Sequence, residues 1–489
     1  MNLTALLIAL PLASSPLIYL VGRAFPAPRR QAEPVCRWLS VGIMLVLWAL
    51  WTRAALALSA GEALTTALGL LALRVDGLSL LFAALVLSVS TLVLVFSSAD
   101  AADRDGIEKY YAMLVTTTGA LIGMVCARDL FNLWVWFELV VISSFLLVSF
   151  ERERPAALDA SIKYLTQSAV GSVLIVLGIA FVLAQTSSLA LDNLQPGRLA
   201  PGLLAAGALL IVGFGIKSAL VPLHTWLPDV YAEAPTRVTA LLSGAVTVSG
   251  LIVLMRALMP LMSAAATWGL LLIGAGVINT LVGNLLAFHQ PDFKRMLAYS
   301  SISHIGTILL GLGVSLYAHI PEAAQAGLFH LLTLGLMETL AFLGIAALRS
   351  KQSITLTDLR GLIYRAPLTG VALLLVLLSL AGLPPLAGFM SKWQVFAAGF
   401  ISPDPAVRGA VIIIALNILL ALGYYLPALM ALCTPDAHAP QAKTPRLPLS
   451  MQLPLIILCG LIVLIGLLPD SVRWLTGAAS AALLAGGRP

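Results

Sequence analysis

Seven ionisable side chains lie inside long apolar stretches, where a charge is costly. At the centre of a bilayer such a charge costs about 2.5–3.5 kcal/mol on insertion scales, so it faces protein or water rather than lipid. The seven are Glu138, Lys163, Lys217, His304, His330, Glu338 and Lys392. They could be structural ion pairs that fix helix register. Because Ser, Thr or Gly would pack helices at lower cost, the pattern favours a chain of titratable groups for proton translocation.

Prolines interrupt two of these apolar stretches. Pro222 interrupts the stretch that carries Lys217, and Pro384 and Pro385 interrupt the stretch that carries Lys392. Proline lacks an amide donor and breaks a helix, and the freed carbonyls are tolerated only where they line protein or a wet cavity. Paired broken helices in the two halves of a chain indicate an inverted-repeat transporter and its site.

A further titratable group, His224, follows the first of these lysines. It lies seven residues after Lys217, which is about two turns of helix. The spacing predicts that both side chains face the same side.

The composition is that of a multi-span membrane protein. Of 489 residues, 60% are hydrophobic and 10% are charged, whereas soluble proteins carry about 25% charged residues. This excludes a soluble enzyme, a disordered chain and a nucleic-acid-binding domain. Since a span needs about 20 mostly apolar residues, we expect an all-α polytopic protein with fourteen transmembrane spans. The predicted spans are 2–21, 37–59, 76–98, 110–127, 130–150, 162–185, 202–222, 236–259, 266–288, 297–317, 325–348, 366–390, 407–433 and 452–476.

The cysteines give no sign of a redox centre. Cys36, Cys126, Cys433 and Cys459 are far apart in the sequence, whereas iron–sulfur clusters and structural zinc need clustered ligands. The sequence also has no dinucleotide-binding, nucleotide-phosphate-binding or zinc-protease motif. We therefore expect no cofactor and no metal, and any electrons to travel in partner subunits.

The distribution of basic residues predicts the orientation in the membrane. If the N-terminus lies outside, the cytoplasmic loops hold 17 Lys and Arg and the outer loops hold 8. Cytoplasmic loops carry the excess of basic residues, so we expect both termini on the outer side of the inner (plasma) membrane. An odd number of spans would break this parity.

Five motifs in order resemble the proton-antiporter-like membrane subunits shared by respiratory complex I (NADH-quinone oxidoreductase), group 4 membrane-bound hydrogenases and Mrp-type sodium/proton antiporters. They include Asp76-Gly-Leu-Ser79, Asp129-Leu-Phe-Asn before Glu138, His224-Thr-Trp-Leu-Pro-Asp229, Asp292-Phe-Lys-Arg before His304, and Gly382-Leu-Pro-Pro before Lys392. The resemblance implies fourteen helices with broken helices 7 and 12 and two inverted five-helix repeats, spans 4–8 and 9–13. The implied domains are spans 1–3 (1–109), the two repeats (110–259 and 260–433) and the C-terminal connector with span 14 (434–489).

The resemblance also implies roles for single residues. Glu138 resembles the acidic partner of span 5, Lys217 the proton-carrying lysine of span 7, and Lys392 the terminal lysine of span 12, while His304 and His330 match polar positions of a central axis. Burial disfavours a charged amine and a nearby carboxylate favours it, so a moving carboxylate would load or eject a proton. The candidate proton pathway is Glu138, Lys163, Lys217, His224, His304, His330, Glu338 and Lys392.

The sequence departs from the family pattern at the centre of this pathway. Val248 stands where the family usually has a lysine, and His330, Leu334 and Glu338 stand where it has His, His and Lys. Either protons move through water and the pair His330 and Glu338, or this subunit conducts poorly.

Three functions are compatible with these observations. The first is a non-redox, proton-translocating subunit of a complex I-type NADH-quinone oxidoreductase. The second is a subunit of an Mrp-type cation/proton antiporter or a membrane-bound hydrogenase, and the third is a non-conducting scaffold subunit. In each we expect other membrane subunits, the lipid bilayer and protons (or sodium) as partners, and no nucleic acid.

Overall fold

A computed structural model shows that the chain is almost entirely helical. It describes residues 2–25, 32–68, 71–97, 106–151, 153–191, 201–348, 353–435 and 447–485. The helices are α1 (Leu3–Arg23), α2 (Ala32–Ser59), α3 (Gly77–Ser97), α4 (Ile107–Cys126), α5 (Leu130–Val148), α6 (Pro155–Thr186), α7 (Pro201–Lys217), α8 (Trp226–Glu233), α9 (Thr236–Leu241), α10 (Thr247–Leu258), α11 (Ala265–Phe288), α12 (Phe293–Ala318), α13 (Pro321–Ala347), α14 (Leu362–Arg365), α15 (Pro367–Ala381), α16 (Ala387–Ile401), α17 (Pro405–Cys433), α18 (Leu449–Leu467) and α19 (Arg473–Ala485).

Short elements complete the chain between these helices. A π-helical turn (Leu242–Val246) joins α9 to α10, and 3₁₀ turns lie at Ser149–Glu151, Met259–Ala264 and Pro469–Val472. Strands β1 (Leu64–Leu68) and β2 (Leu71–Val75) form an antiparallel hairpin in which Leu64 pairs with Val75.

Ten helical stretches of the described chain are long and apolar enough to cross a membrane. Without water in the bilayer core, backbone amides and carbonyls must bond within the chain, and a helix achieves this by itself. The prediction of an all-α polytopic fold is therefore confirmed. The predicted count of fourteen spans and the inverted repeats stay predictions.

Three predicted spans run past the end of their helix. The spans predicted at 202–222, 366–390 and 452–476 end as helices at Lys217, Ala381 and Leu467. Proline follows each end within a few residues and cannot donate to the preceding turn. The argument that Lys217 and His224 share one helix face was therefore wrong, because the helix stops between them.

The chain divides into two compact units that do not follow the sequence in order. Unit one comprises residues 1–218, 245–265 and 475–489, and unit two comprises residues 219–244 and 266–474. The predicted domains at 1–109, 110–259, 260–433 and 434–489 describe repeats rather than compact units, and they stay a prediction.

Unit one joins its helices to the β-hairpin through backbone hydrogen bonds. The amide of Arg128, between α4 and α5, donates to the carbonyl of Ala72 in β2 at 3.0 Å. The amide of Leu191 donates to the carbonyl of Arg128 at 2.8 Å. The hairpin therefore fixes the ends of α4 and α6 relative to each other.

In the same unit, an aromatic contact joins α5 to α7. The rings of Phe137 and Phe214 meet edge to face, with their centres 5.6 Å apart.

A buried ion pair ties α3 to α10 within unit one. Arg256 Nη2 lies 2.7 Å from Asp76 Oδ1, and the same nitrogen donates to Ser79 Oγ at 2.9 Å. The amide and the hydroxyl of Ser79 also donate to Asp76 Oδ1, each at 2.9 Å. A buried ion pair is tolerated only when such additional hydrogen bonds satisfy its oxygens.

Unit two is built around tightly packed apolar helices. α11, α12, α13, α16 and α17 share a buried cluster of aliphatic side chains that includes Ile273, Leu310, Ala323, Val395 and Val411. Small and branched residues let the helices approach closely, as expected where lipid provides no hydrophobic driving force between them.

We predict that Arg256→Leu strongly destabilises the protein. The variant leaves Asp76 buried without its cation, which costs about 3–5 kcal/mol. Thermal unfolding of the detergent-solubilised protein would measure the loss. The control is Arg473→Leu, because the Arg473–Asp470 pair is 71% and 81% exposed and exposed pairs contribute little. Equal stability of the two variants would contradict a stabilising role for the buried pair.

Candidate functional site

The first predicted lysine, Lys217, is the last residue of α7 and is buried in unit one. Its side chain is 1% exposed, and Nζ donates a hydrogen bond to the hydroxyl of Tyr164 on α6. That hydroxyl also bonds Ser144 Oγ on α5 at 2.7 Å. Nζ lies 4.7 Å from the centre of the Tyr164 ring, within range of a cation–π interaction. The amine is therefore held by neutral groups.

Glu138 lies near Lys217 without bonding to it. The carboxylate is on α5, close enough for its charge to act on the amine, and its Oε1 is buried with no hydrogen-bond partner. Of the predicted unit-one residues, the structure therefore brings Glu138 and Lys217 into one region. Lys163 precedes Tyr164 on α6 but is exposed, so it faces away from this region.

The position of the missing lysine is apolar and closed. Val248 on α10 is 1% exposed. Beside it, Ser218 Oγ donates to the carbonyl of Thr247 at 3.1 Å. Gly250 on the same helix has Ser218 and Lys217 as its nearest neighbours, so α10 lies directly against the end of α7. Here α10 offers Lys217 a close contact and no titratable group.

The helix interruption at 382–386 in unit two is satisfied by side chains. Lys392 Nζ on α16 donates to the carbonyl of Leu380, at the end of α15, at 2.7 Å. Ser379 Oγ accepts from the amide of Gly388 at 3.0 Å. A cation is favoured at a helix C-terminus, where carbonyls carry partial negative charge. Lys392 therefore replaces a backbone partner that the prolines remove.

Two histidines and a serine form a chain of hydrogen bonds in unit two. His304 Nδ1 lies 3.3 Å from His330 Nε2, and His330 Nδ1 lies 2.8 Å from Ser391 Oγ. All three side chains are buried. Each imidazole can donate from one nitrogen and accept at the other, so the chain can pass a proton between α12, α13 and α16.

Glu338 on α13 is 1% exposed and bonds to a hydroxyl. Ser301 Oγ donates to its Oε1 at 2.6 Å, while Oε2 is buried without a hydrogen-bond partner. Lys392 bonds to a carbonyl instead, so no ion pair between Glu338 and Lys392 is present among the described residues. Next to Ser301, Ser300 Oγ bonds the hydroxyl of Tyr425.

The second interruption leaves His224 between α7 and α8. In unit two, Asn279 on α11 accepts from the amide of Val221 at 3.0 Å and donates to the carbonyl of Ala219 at 3.3 Å. One amide side chain thus satisfies two backbone groups of the broken stretch. His224 is 9% exposed, its Nδ1 has no hydrogen-bond partner, and its ring centre lies 6.4 Å from that of Tyr299.

An ion pair fixes α8 beyond this interruption. Arg295 Nη1, in the first turn of α12, lies 2.7 Å from Asp229 Oδ1. Lys294 Nζ donates to the carbonyl of Ala232. The motif at the start of α12 and the motif that contains α8 are far apart in the sequence, and these two bonds hold them together.

Sequence reasoning missed the neutral partners of the titratable groups. They are Ser144, Tyr164, Asn279, Ser301 and Ser391. Tyr164 and Ser391 are adjacent to predicted lysines in the sequence, but neighbouring residues of a helix do not face each other, and their partners are Lys217 and His330. Ser301 lies in the serine-rich run before His304, where three serines offered no way to choose. Nothing in the sequence predicts the role of Asn279, because its partners are the backbone groups of Val221 and Ala219, which are distant in the sequence.

The arrangement consists of proton carriers and hydroxyls. Buried amines, imidazoles and a carboxylate bond to neutral groups, so each can gain or lose a proton without breaking an ion pair. No group of three or more His, Cys, Asp or Glu in the described part of the chain could hold a metal ion.

Comparison with known proteins gives consistent similarities. Residues 127–418 match the family described as NADH:quinone oxidoreductase/Mrp antiporter, TM. NADH-quinone oxidoreductase subunit N of Deinococcus radiodurans is 34% identical over 82% of this chain and 81% of its own length. F(420)H(2) dehydrogenase subunit N of Methanosarcina mazei is 30% identical, over 81% and 82%. A chain of respiratory complex I from Thermus thermophilus has a TM-score of 0.79 and 27% identity, covering 96% of this chain and 100% of that chain.

Proposed function

Because the chain belongs to the NADH:quinone oxidoreductase/Mrp antiporter transmembrane family, we propose that it is the antiporter-like, proton-translocating membrane subunit of a complex I-type NADH-quinone oxidoreductase. It works as a multi-pass subunit among other membrane subunits, and electron transfer in those partners drives proton movement through it. The observation that carries this proposal is the placement of two buried lysines, Lys217 and Lys392, at helix interruptions where their hydrogen-bond partners are neutral.

In this proposal each unit holds one loading site. Glu138 controls the proton on Lys217 through its charge, because no hydrogen bond or ion pair holds the two together. In unit two, Lys392 exchanges protons with one side of the membrane. His304 and His330 conduct within unit two, since their nitrogens are already in line with Ser391.

The remaining predicted residues take flanking roles. Glu338 carries the proton where the family has a lysine, with Ser301 as its donor. His224 acts at the interruption near Tyr299. Lys163 is exposed on α6 and would act toward a neighbouring subunit rather than in the interior. The two inverted repeats at 110–259 and 260–433 would each supply one of the interrupted helices.

We expect Glu138→Gln to lower proton pumping severalfold while the complex still assembles. The amide keeps the size of the side chain but cannot change the charge near Lys217. The measurement is NADH-driven proton uptake in proteoliposomes with the purified complex, alongside quinone reduction. Full pumping by an intact complex would contradict the role, and so would failure of assembly. If NADH drives neither reaction but a sodium gradient drives proton movement, the Mrp-type alternative holds instead.

We expect Glu338→Gln to assemble normally and to lose the proton flux of this subunit. Glutamine can still accept from Ser301 Oγ, so the hydrogen bond is kept and only the exchangeable proton is lost. The same proteoliposome assay measures the flux, and Glu322→Gln, in the first turn of the same helix, is the matched control. Normal flux in Glu338→Gln would mean that protons follow a hydrated path that bypasses α13.

We propose that both termini face the outer side of the membrane. The support is the 17 to 8 count of basic residues, of which Arg29, Arg30, Arg104, Arg152, Arg198, Arg349, Lys351, Lys443, Arg446 and Arg488 lie outside the described residues. Alkaline phosphatase fused to the C-terminus is expected to be active, because it folds only outside the cytoplasm. An inactive phosphatase together with an active cytoplasmic reporter would reverse the orientation.

A further inference from the structure

A cleft opens in unit one where three helices end together. It lies between the last turns of α1, the first turns of α4 and the end of α5, and its volume is about 480 Å³. Its lining includes Tyr19, Lys109, Tyr110, Met113 and Leu146. None of these residues belongs to the proposed proton pathway, so the cleft needs a separate explanation.

The mouth of the cleft carries a basic side chain and the start of a helix. Lys109 is exposed there. It lies in the first turn of α4, which follows Gly106 at φ 82° without a side-chain cap, so the positive end of the helix dipole adds to its charge. The acidic residue of the same turn, Glu108, is 0% exposed and lies against Gly22 rather than at the mouth. Among the described residues that line the mouth, Lys109 and the first turn of α4 therefore offer favourable contacts to an anion.

The interior of the cleft is apolar and open to the side. Met113 and Leu147 line it, and Leu146 is 43% exposed. Tyr110 and Phe150 close one wall, with ring centres 5.5 Å apart. Aromatic side chains are enriched where membrane helices leave the hydrocarbon for the headgroup region. A molecule that joins an anionic group to a hydrocarbon chain therefore matches both the mouth and the interior of the cleft.

We propose that this cleft binds one anionic phospholipid of the membrane leaflet on the Lys109 side. Its phosphate lies at Lys109 and the start of α4, and one acyl chain lies along Met113 and Leu146. Basic pockets between transmembrane helices recognise anionic head groups in this way. The lipid would link the ends of α1, α4 and α5, which no ion pair between these residues does at the mouth of the cleft.

Photolabelling of the whole complex tests this proposal. The complex is reconstituted in phosphatidylcholine vesicles that contain a little phosphatidylglycerol with a diazirine in one acyl chain, and labelled peptides are identified by mass spectrometry. We expect labels on α4 and α5. Lys109→Gln should reduce them about fivefold, which corresponds to about 1 kcal/mol for one basic side chain near a membrane surface. Arg53→Gln, an exposed arginine on α2, is the matched control and should change nothing.

Two further arms separate the headgroup from the acyl chain. Met113→Trp fills the cleft and should also remove the labels, while NADH-driven proton pumping by Lys109→Gln should stay unchanged. Equal labelling by a phosphatidylcholine probe with the same diazirine chain would overturn the proposal, because the charge would not be recognised. If excess inorganic phosphate removes the labels, the site binds free phosphate rather than a lipid. If neither variant changes the labelling, the contact with lipid is unspecific and the proposal is wrong. Each of these results is independent of the fate of the pumping variants.

Discussion

The absence of water in the bilayer core is the constraint on which the rest of this structure depends. A helix satisfies its own backbone there, but an interrupted helix does not. Side chains close the interruptions that follow Lys217 and Ala381. Asn279 satisfies the amide of Val221 and the carbonyl of Ala219, while Lys392 satisfies the carbonyl of Leu380. The cost of burying Lys392 is therefore offset by a backbone group that has no other donor.

The same constraint explains why the titratable groups bond to hydroxyls and carbonyls rather than to each other. A buried ion pair is stable when fully hydrogen-bonded and costly to break, as Asp76 and Arg256 illustrate with their shared Ser79. That pair holds α3 to α10. Lys217 has a tyrosine hydroxyl instead, and a neutral partner tolerates both protonation states of an amine. The ion pair thus stabilises the structure, and the neutral partners stand where the proposed function requires a change of charge.

The sequence was sufficient to predict the helical class and the two interruptions, because apolar length and proline act locally. It was not sufficient to predict partners. The spacing between Lys217 and His224 indicates one helix face only if the helix is unbroken, and Pro222 lies between the two residues. Opposite charge alone would pair Glu338 with Lys392, yet Glu338 bonds to Ser301. Side-chain partners depend on packing between distant helices, and single-residue spacing does not encode it.

The exchange of a lysine for Glu338 changes the charge balance of the proposed relay. Two lysines that share one proton always leave one positive charge buried. A carboxylate and an amine that share one proton are either both neutral or oppositely charged, so their sum is zero in both states. Net charge is the costly quantity in a low-dielectric interior, and both Glu338 and Lys392 are at least 94% buried. In the proposed relay, Glu338 and Lys392 would therefore carry no net charge together while they hold one proton, and their sum would change by one unit only when a proton enters or leaves.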